Sequence, residues 1–254
     1  MTDLPFDLER TILIRADRET VFRYFTDSAR WAMWWGAGST IDAQPGGKVF
    51  IRHPNGIEVM GEVLEAAAPE RIVFSYGYPS GKPLGPGESK VTISLRPDAA
   101  GTRLHLRHEF NEEAPRNEHI QGWRFQLSLF SNVIANEAFA GAAGVIDAWY
   151  EAWTIADEKE RVQAFARVAA PEIRFRDRYS LLDGMEDLLA HVSAALRFMP
   201  GIKLARKSEV RQCQGTAVTD WVATDAQGTE RMAGTSVCEF GSGGKLVSVT
   251  GIAK

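Results

Sequence analysis

The stretch SKVTISLRPDAAGTRLHLRHEF at residues 89–110, read with GWRFQLSLFSNVI at 122–134, decides the fold of the first half of the chain. Val91, Ile93 and Leu95 alternate with Lys90, Thr92, Ser94 and Arg96. Leu104, Leu106, His108 and Phe110 alternate in the same way with Arg103, His105, Arg107 and Glu109. A period of two places one set of side chains on a buried face and the other in water, the mark of an antiparallel sheet covered on one side. Trp123, Leu127, Phe130 and Ile134 follow the helical period instead, so a helix from Pro115 to about Ala138 carries an apolar stripe that the buried sheet face can cover.

Outward from this core, residues 8–14 read as a strand, and Asp17 can cap a helix running to Thr26 with Val21, Phe22 and Phe25 on one face. Trp31, Trp34 and Trp35 share one side of a further short helix. Ile72, Phe74, Tyr76 and Tyr78 form another alternating set, and Gly46-Gly47, Pro54-Asn55-Gly56 and 79–87 supply turns. A strand, short helices, about six further strands and a long closing helix make a helix-grip architecture. Gly141-Ala142-Ala143-Gly144 then marks a boundary between domains spanning 1–140 and 141–254. In the second part come a helix with Val145, Trp149, Ala152, Trp153 and Ala156 on one stripe, a second helix over 158–169, and a strand holding Ile173, Phe175 and Asp177. A helix from Gly184 to Phe198 and four strands over 202–213, 216–225, 229–240 and 245–253 complete it. Helices first and a hairpin sheet afterwards describe an α+β cone. The fold class is α+β throughout.

The chain has 254 residues, 44% of them hydrophobic and 24% charged, a balance that excludes a disordered chain and fits two globular domains. Its net charge of −4 is spread over both halves, so nothing attracts a phosphate backbone and no nucleic-acid partner is expected. No window approaches the ~20 consecutive apolar residues that span a bilayer, so no membrane partner is expected. The acidic start, MTDLPFDLER, reads as neither a secretory signal nor a transit peptide, which makes the cytoplasm the expected location. Cys213 and Cys238 form no paired motif and read as buried thiols of a reduced compartment.

Residues 8–140 resemble the domain named for the activator of the heat-shock protein 90 ATPase, a START-like, helix-grip family. The carriers are RADRETVFRYFTD at 15–27, RWAMWW at 30–35, PGGKVFI at 45–51 and the closing GWRFQLSLFSNVI. Residues 144–254 resemble nuclear transport factor 2-like, SnoaL-like domains through VIDAWYEAW, the strand FRD, LLDGMEDLLAHVSAALRFMPG and GGKLVSVTGIA. Both resemblances imply a cavity between a curved sheet and helices. Neither implies a particular reaction, because one fold hosts many functions.

The most informative residue is Asp177. By alternation it shares the apolar face of Ile173 and Phe175, where desolvation would make it a better base. The resemblance implies the same: steroid isomerases of the group place their proton-abstracting aspartate on this strand. Their helix-one tyrosine falls here at Trp149, with Tyr150 one step round the helix, and their second oxyanion donor falls at Ser236. That departure removes the strong donors an enolate needs, so steroid-type isomerisation is not expected. His191, at the border of an apolar helix face, could pair with Asp177 to move protons. In the first domain, Tyr76, Tyr78, His108 and Trp123 could line an apolar pocket with a few polar handles. Trp149, Tyr150, Trp153 and Ser236 could do so in the second. His105 and His108 lie three apart on a strand and point to opposite faces, and no metal or cofactor motif occurs, so neither metal nor cofactor is expected.

Three functions remain open on this reading. The first is binding of a small hydrophobic or aromatic molecule in a domain cavity. The second is a lyase-, isomerase- or cyclase-type enzyme using Asp177 as general base with His191. The third is a protein-interaction or co-chaperone-like role, with a homodimer possible through the open sheet of the second domain.

Overall fold

The computed structural model describes residues 4–254, which form two compact units dividing between Ile134 and Ala135. In the first unit, β1 (Phe6–Ile14) precedes α1 (Arg18–Arg23) and α2 (Ser28–Trp35), and six strands come after them. These are β2 (Thr40–Ile41), β3 (Lys48–Arg52), β4 (Glu58–Ala67), β5 (Arg71–Tyr76), β6 (Ser89–Asp98) and β7 (Gly101–Phe110). They pair antiparallel in the order β1-β7-β6-β5-β4-β3-β2, and α3 (Glu113–Ala138) closes the unit.

Local chemistry sets the ends of these elements. The Asp17 side chain accepts from the Thr20 N–H at 2.7 Å and opens α1. The helix ends at Arg23 and continues as turns to Thr26, shorter than the expected helix. Asp27 caps α2 in the same way through the Arg30 N–H. In the β6–β7 hairpin, Val91, Ile93 and Leu95 face the core with Leu104, Leu106, His108 and Phe110, as the alternation requires. His105 points the other way, bonds Thr11 and is partly exposed.

Helix α3 buries Trp123, Leu127, Phe130 and Ile134. Phe130 is fully buried and meets the rings of Phe25 at 5.0 Å and Trp34 at 4.6 Å, while Trp31 lies edge-on to Trp34 at 5.1 Å. The tryptophans at 31 and 34 are therefore core packing. At Gly77, just past β5, an added Cβ would lie 1.9 Å from the Gly85 carbonyl oxygen. Only glycine lets the segment 78–85 fold back this closely, and that segment forms one wall of the first unit's cavity.

The second unit begins in the last turn of α3, where Ala135 and Phe139 join its core. The division thus falls within a helix, ahead of the Gly141 to Gly144 segment, because Ala135 in the final turn of α3 and Phe139 just past its end pack into the second core. Helices α4 (Ala142–Ala152) and α5 (Glu158–Val168) lead into β8 (Ala169–Arg176), β9 (Leu181–Asp183) and α6 (Met185–Phe198). Then come β10 (Lys203–Arg206), β11 (Arg211–Cys213), β12 (Thr216–Thr224), β13 (Glu230–Phe240) and β14 (Leu246–Ala253). The sheet order is β10-β12-β13-β14-β8-β9 with β11 also on β12, and β14 runs parallel to β8. The stretch expected as one strand over 202–213 is two, β10 and β11. Cys238 is buried but Cys213 is exposed, which corrects the expectation of two buried thiols. No single helix among the described residues is long and apolar enough to cross a membrane.

Phe130 packs α3 against Tyr24 and Phe25, just past α1, and against Trp34 of α2. Phe130→Ala is expected to cost about 3–5 kcal/mol, the usual range for a buried phenylalanine, measured by urea unfolding of the whole chain. A loss below about 1 kcal/mol would mean that the aromatic cluster relaxes around the gap.

Candidate functional site

The first unit encloses a cavity of about 990 Å³ between α3, the end of β5 and the segment 53–58. Its inner wall holds Trp35, Tyr76, Trp123, His119 and Gln126, each less than a tenth exposed. Tyr78, His53 and Gly122 also line it, as do the charged Glu58, Lys82 and Glu118, and the exposed side chains of Ile57 and Phe125 flank it. Tyr76, Tyr78 and Trp123 are thus brought together on one cavity. His108 is not: it is fully buried and lies behind the lining, which corrects its reading as a ligand contact.

The role of His108 is fixed by its partners. The Trp123 indole N–H can only donate, and it reaches His108 Nδ1 at 2.9 Å. In the neutral ring the proton therefore sits on Nε2, which donates to Ser89 Oγ at 2.8 Å. The Ser89 hydroxyl in turn donates to the Tyr76 carbonyl at 2.7 Å. Every polar atom in this chain is satisfied, and it ties α3 to β7, β6 and β5. Desolvation, helped by the nearby His119, holds the His108 pKa well below the usual imidazole value, so the ring stays neutral.

A second chain faces the cavity. His119 Nδ1 donates to the Pro115 carbonyl at 2.7 Å, which leaves Nε2 to accept from the Tyr78 hydroxyl at 3.1 Å. The Tyr76 ring lies edge-on to that of Tyr78, with ring centres 5.9 Å apart. Burial lowers the His119 and His53 pKa values and raises those of Tyr76 and Tyr78, so all four groups are neutral at pH 7. His119 lies one turn before Trp123, and that helical spacing was the signal for it in the sequence. His53 carried no such mark, because it sits at the start of a turn; Gln126, between Phe125 and Leu127, stands three residues after Trp123, a helical spacing that also places it on the Trp123 side of α3.

The second unit holds a cavity of about 730 Å³ lined by Trp149, Tyr150, Trp153, Phe175, Trp221 and Ser236, with Asp177, Ser180 and His191 also on it. Trp153 and Phe175 stack with ring centres 5.0 Å apart. Deep in the cavity the Tyr150 hydroxyl donates to Ser236 Oγ at 2.9 Å. It is therefore Tyr150, and not Trp149, that meets Ser236, and desolvation raises the phenol pKa. Beyond Ser236, burial pushes the Cys238 thiol up to about 12.

Asp177 is not on a strand. β8 ends at Arg176, and residues 177–180 form the turn into β9, closed by the Asp177 N–H on the Ser180 carbonyl at 3.0 Å. The Asp177 carboxylate accepts from the Tyr179 N–H at 2.8 Å and is half-buried. The alternation broke because aspartate prefers such turns, where its short side chain bonds backbone two residues on. His191 does not hydrogen-bond Asp177; its Nε2 lies 3.3 Å from Ser180 Oγ, and its ring packs against Trp153. The cavity brings the acid and the imidazole onto one lining without joining them.

Two α+β domains, each with an aromatic-walled cavity between sheet and helices, define the class: a helix-grip domain followed by an α+β cone. Residues 15–134, just under half of the chain, match the model of the family described as activator of Hsp90 ATPase homolog 1-like protein. Among solved structures, a SnoaL-like family protein from Agrobacterium tumefaciens is 19% identical, with a TM-score of 0.42, over 44% of this chain and 95% of its own. Protein MLL2253 from Mesorhizobium loti is 17% identical, with a TM-score of 0.46, over 51% of this chain and 96% of its own. CalU16 from Micromonospora echinospora is 26% identical, with a TM-score of 0.41, over 52% of this chain and 76% of its own. No curated protein matches.

Because His53, His108 and His119 all sit below the free imidazole value, the unfolded chain takes up protons that the folded domain refuses as the pH falls through about 6.5. Their contribution to stability is full above that pH and is lost below it. Urea unfolding is expected to show the protein weakening from about pH 7.5 to about pH 5.5, and His108→Gln should flatten the slope by up to about 1.4 kcal/mol per pH unit. An unchanged slope in the variant would contradict the neutral state assigned to His108.

Proposed function

We propose that the protein binds a small, largely apolar, aromatic molecule in the cavity of its first domain. The observation that carries this reading is the inner wall of Trp35, Tyr76, Tyr78, Trp123 and His119, whose titratable groups are neutral, with Tyr78 bonded to His119 and Trp123 to His108. A mostly apolar concavity with a few oriented polar groups is how small-molecule sites are built, and about 990 Å³ matches their usual size. A wall of this kind supplies burial and orientation. None of its five side chains is a charged acid or base; Glu58, Lys82 and Glu118 line the cavity outside it.

A second reading has one observation in its favour: Asp177, Ser180 and His191 line a single cavity in the second domain. There Asp177 would act as general base on a ligand held by Trp149, Trp153 and Phe175, with the Tyr150–Ser236 pair as a polar anchor. In an enzyme of this kind, of the lyase, isomerase or cyclase type, the Tyr179 N–H would hold Asp177 Oδ1 while Oδ2 takes the substrate proton. Asp177→Asn should abolish any turnover found while leaving binding in the first domain unchanged. Full turnover in that variant rules the reading out.

The binding reading has a test that separates it from stability. Gly122 lies on α3, lines the first cavity, and has no atom within 4 Å of an added Cβ. Gly122→Leu therefore puts bulk into the cavity while removing a poor helix former, for up to about 1 kcal/mol of added stability. Calorimetric titration with the methyl ether of naphthol should show binding to the natural protein, weakened at least about tenfold in Gly122→Leu with no loss of stability. Equal binding by both proteins places the ligand elsewhere.

A further inference from the structure

Resting on that binding reading, the inference here concerns which aromatic molecules the first cavity takes. The hydrogen-bonding groups on its inner wall are not evenly matched. The Trp123 N–H is used on His108, and the His119 Nδ1–H on the Pro115 carbonyl. The Tyr78 hydroxyl proton is used on His119 Nε2. The Trp35 Nε1–H lies buried beneath the surface, without a partner and out of reach of a guest. Gln126 commits its Nε2 to the Trp34 carbonyl.

That last bond sets the amide. A carbonyl accepts only, so Nε2 must face Trp34 and Oε1 is the end left over. Gln126 is 6% exposed, lies on the cavity lining, and its Oε1 has no partner among the described residues. It is an acceptor held in place by a buried bond and left unfilled. No cation stands beside it: the one lysine on the lining, Lys82, is exposed on the segment 78–85. A buried carboxylate would go uncompensated there.

We propose that the first-domain cavity selects a neutral aromatic molecule carrying a hydrogen-bond donor, a phenolic hydroxyl or an aromatic N–H, and that Gln126 Oε1 receives that donor. The aromatic wall supplies affinity for any flat apolar guest. Gln126 discriminates among them, since a ligand without the donor leaves a desolvated carbonyl oxygen unpaired. A carboxylate analogue is disfavoured twice, by its own desolvation and by its lack of a donor.

The test is a titration of the whole protein with naphthol, its methyl ether and the corresponding naphthoate, which share one ring system. Naphthol is expected to bind at least about tenfold tighter than the ether, equivalent to about 1.4 kcal/mol, and tighter than the naphthoate. In Gln126→Leu, and in Gln126→Met should the first fail to fold, the gap between naphthol and ether should close to within about twofold while the ether keeps its affinity. Equal affinity for naphthol and ether in the natural protein overturns the selectivity and leaves the binding reading standing. A naphthol preference that survives in both variants overturns the role of Gln126. Binding of none of the three overturns the binding reading itself, and the selectivity with it.

Discussion

The first domain depends on one buried run of hydrogen bonds, from the Trp123 indole through the His108 ring and the Ser89 hydroxyl to the Tyr76 carbonyl. An imidazole at zero exposure is tolerable only when neutral and when both nitrogens have partners. Trp123 can only donate and the Tyr76 carbonyl can only accept, so the direction of every proton in between is fixed. The run pins the closing helix to three neighbouring strands at a set height. That height decides how much space lies between helix and sheet, and the cavity is this space. Low local dielectric makes such a network costly to leave half-made, which favours one arrangement over loose alternatives.

On the cavity side of this partition the same helix presents His119 and Gln126, each held by a bond to backbone. The wall is rigid because its polar groups are anchored from behind, and a preorganised wall loses little side-chain freedom when a guest arrives. The second domain is built differently. Its deep polar pair, Tyr150 and Ser236, satisfies itself, and its acidic and imidazole groups occupy a turn and a helix that meet through Ser180. Charge there is kept near the mouth, on Asp177, Arg178, Arg231 and Lys254, while the interior is aromatic and aliphatic.

The elements that could be read from the chain were those with a strong period or a local cap. The alternation through 89–110 specified which side chains of β6 and β7 are buried, and the stripe of Trp123, Leu127, Phe130 and Ile134 specified the face of α3. Asp17 marked the start of α1. What misled was alternation carried one residue too far: Ile173, Phe175 and Asp177 read as one face, yet the strand stops at Arg176 because the Asp177 side chain turns the chain back through Tyr179. His108 misled for another reason. It does point inward, but burial alone does not tell a cavity wall from the layer behind it. The stretch over 202–213 contains no glycine or proline after Gly201 to announce the break between β10 and β11.

The sequence by itself determined the two α+β domains, the apolar faces of their helices and strands, and the presence of aromatic side chains enough to line a pocket in each. These arise from period and composition, which act locally along the chain. Only the tertiary structure decided which polar groups meet: that His108 faces Trp123 and Ser89, that His119 takes the Tyr78 proton, that Gln126 is fixed by the Trp34 carbonyl, and that Asp177 and His191 remain apart. Hydrogen bonds reach only about 3 Å and depend on angle. Residues distant in sequence come within that reach through the packing of whole helices and strands, and spacing along the chain carries no record of it.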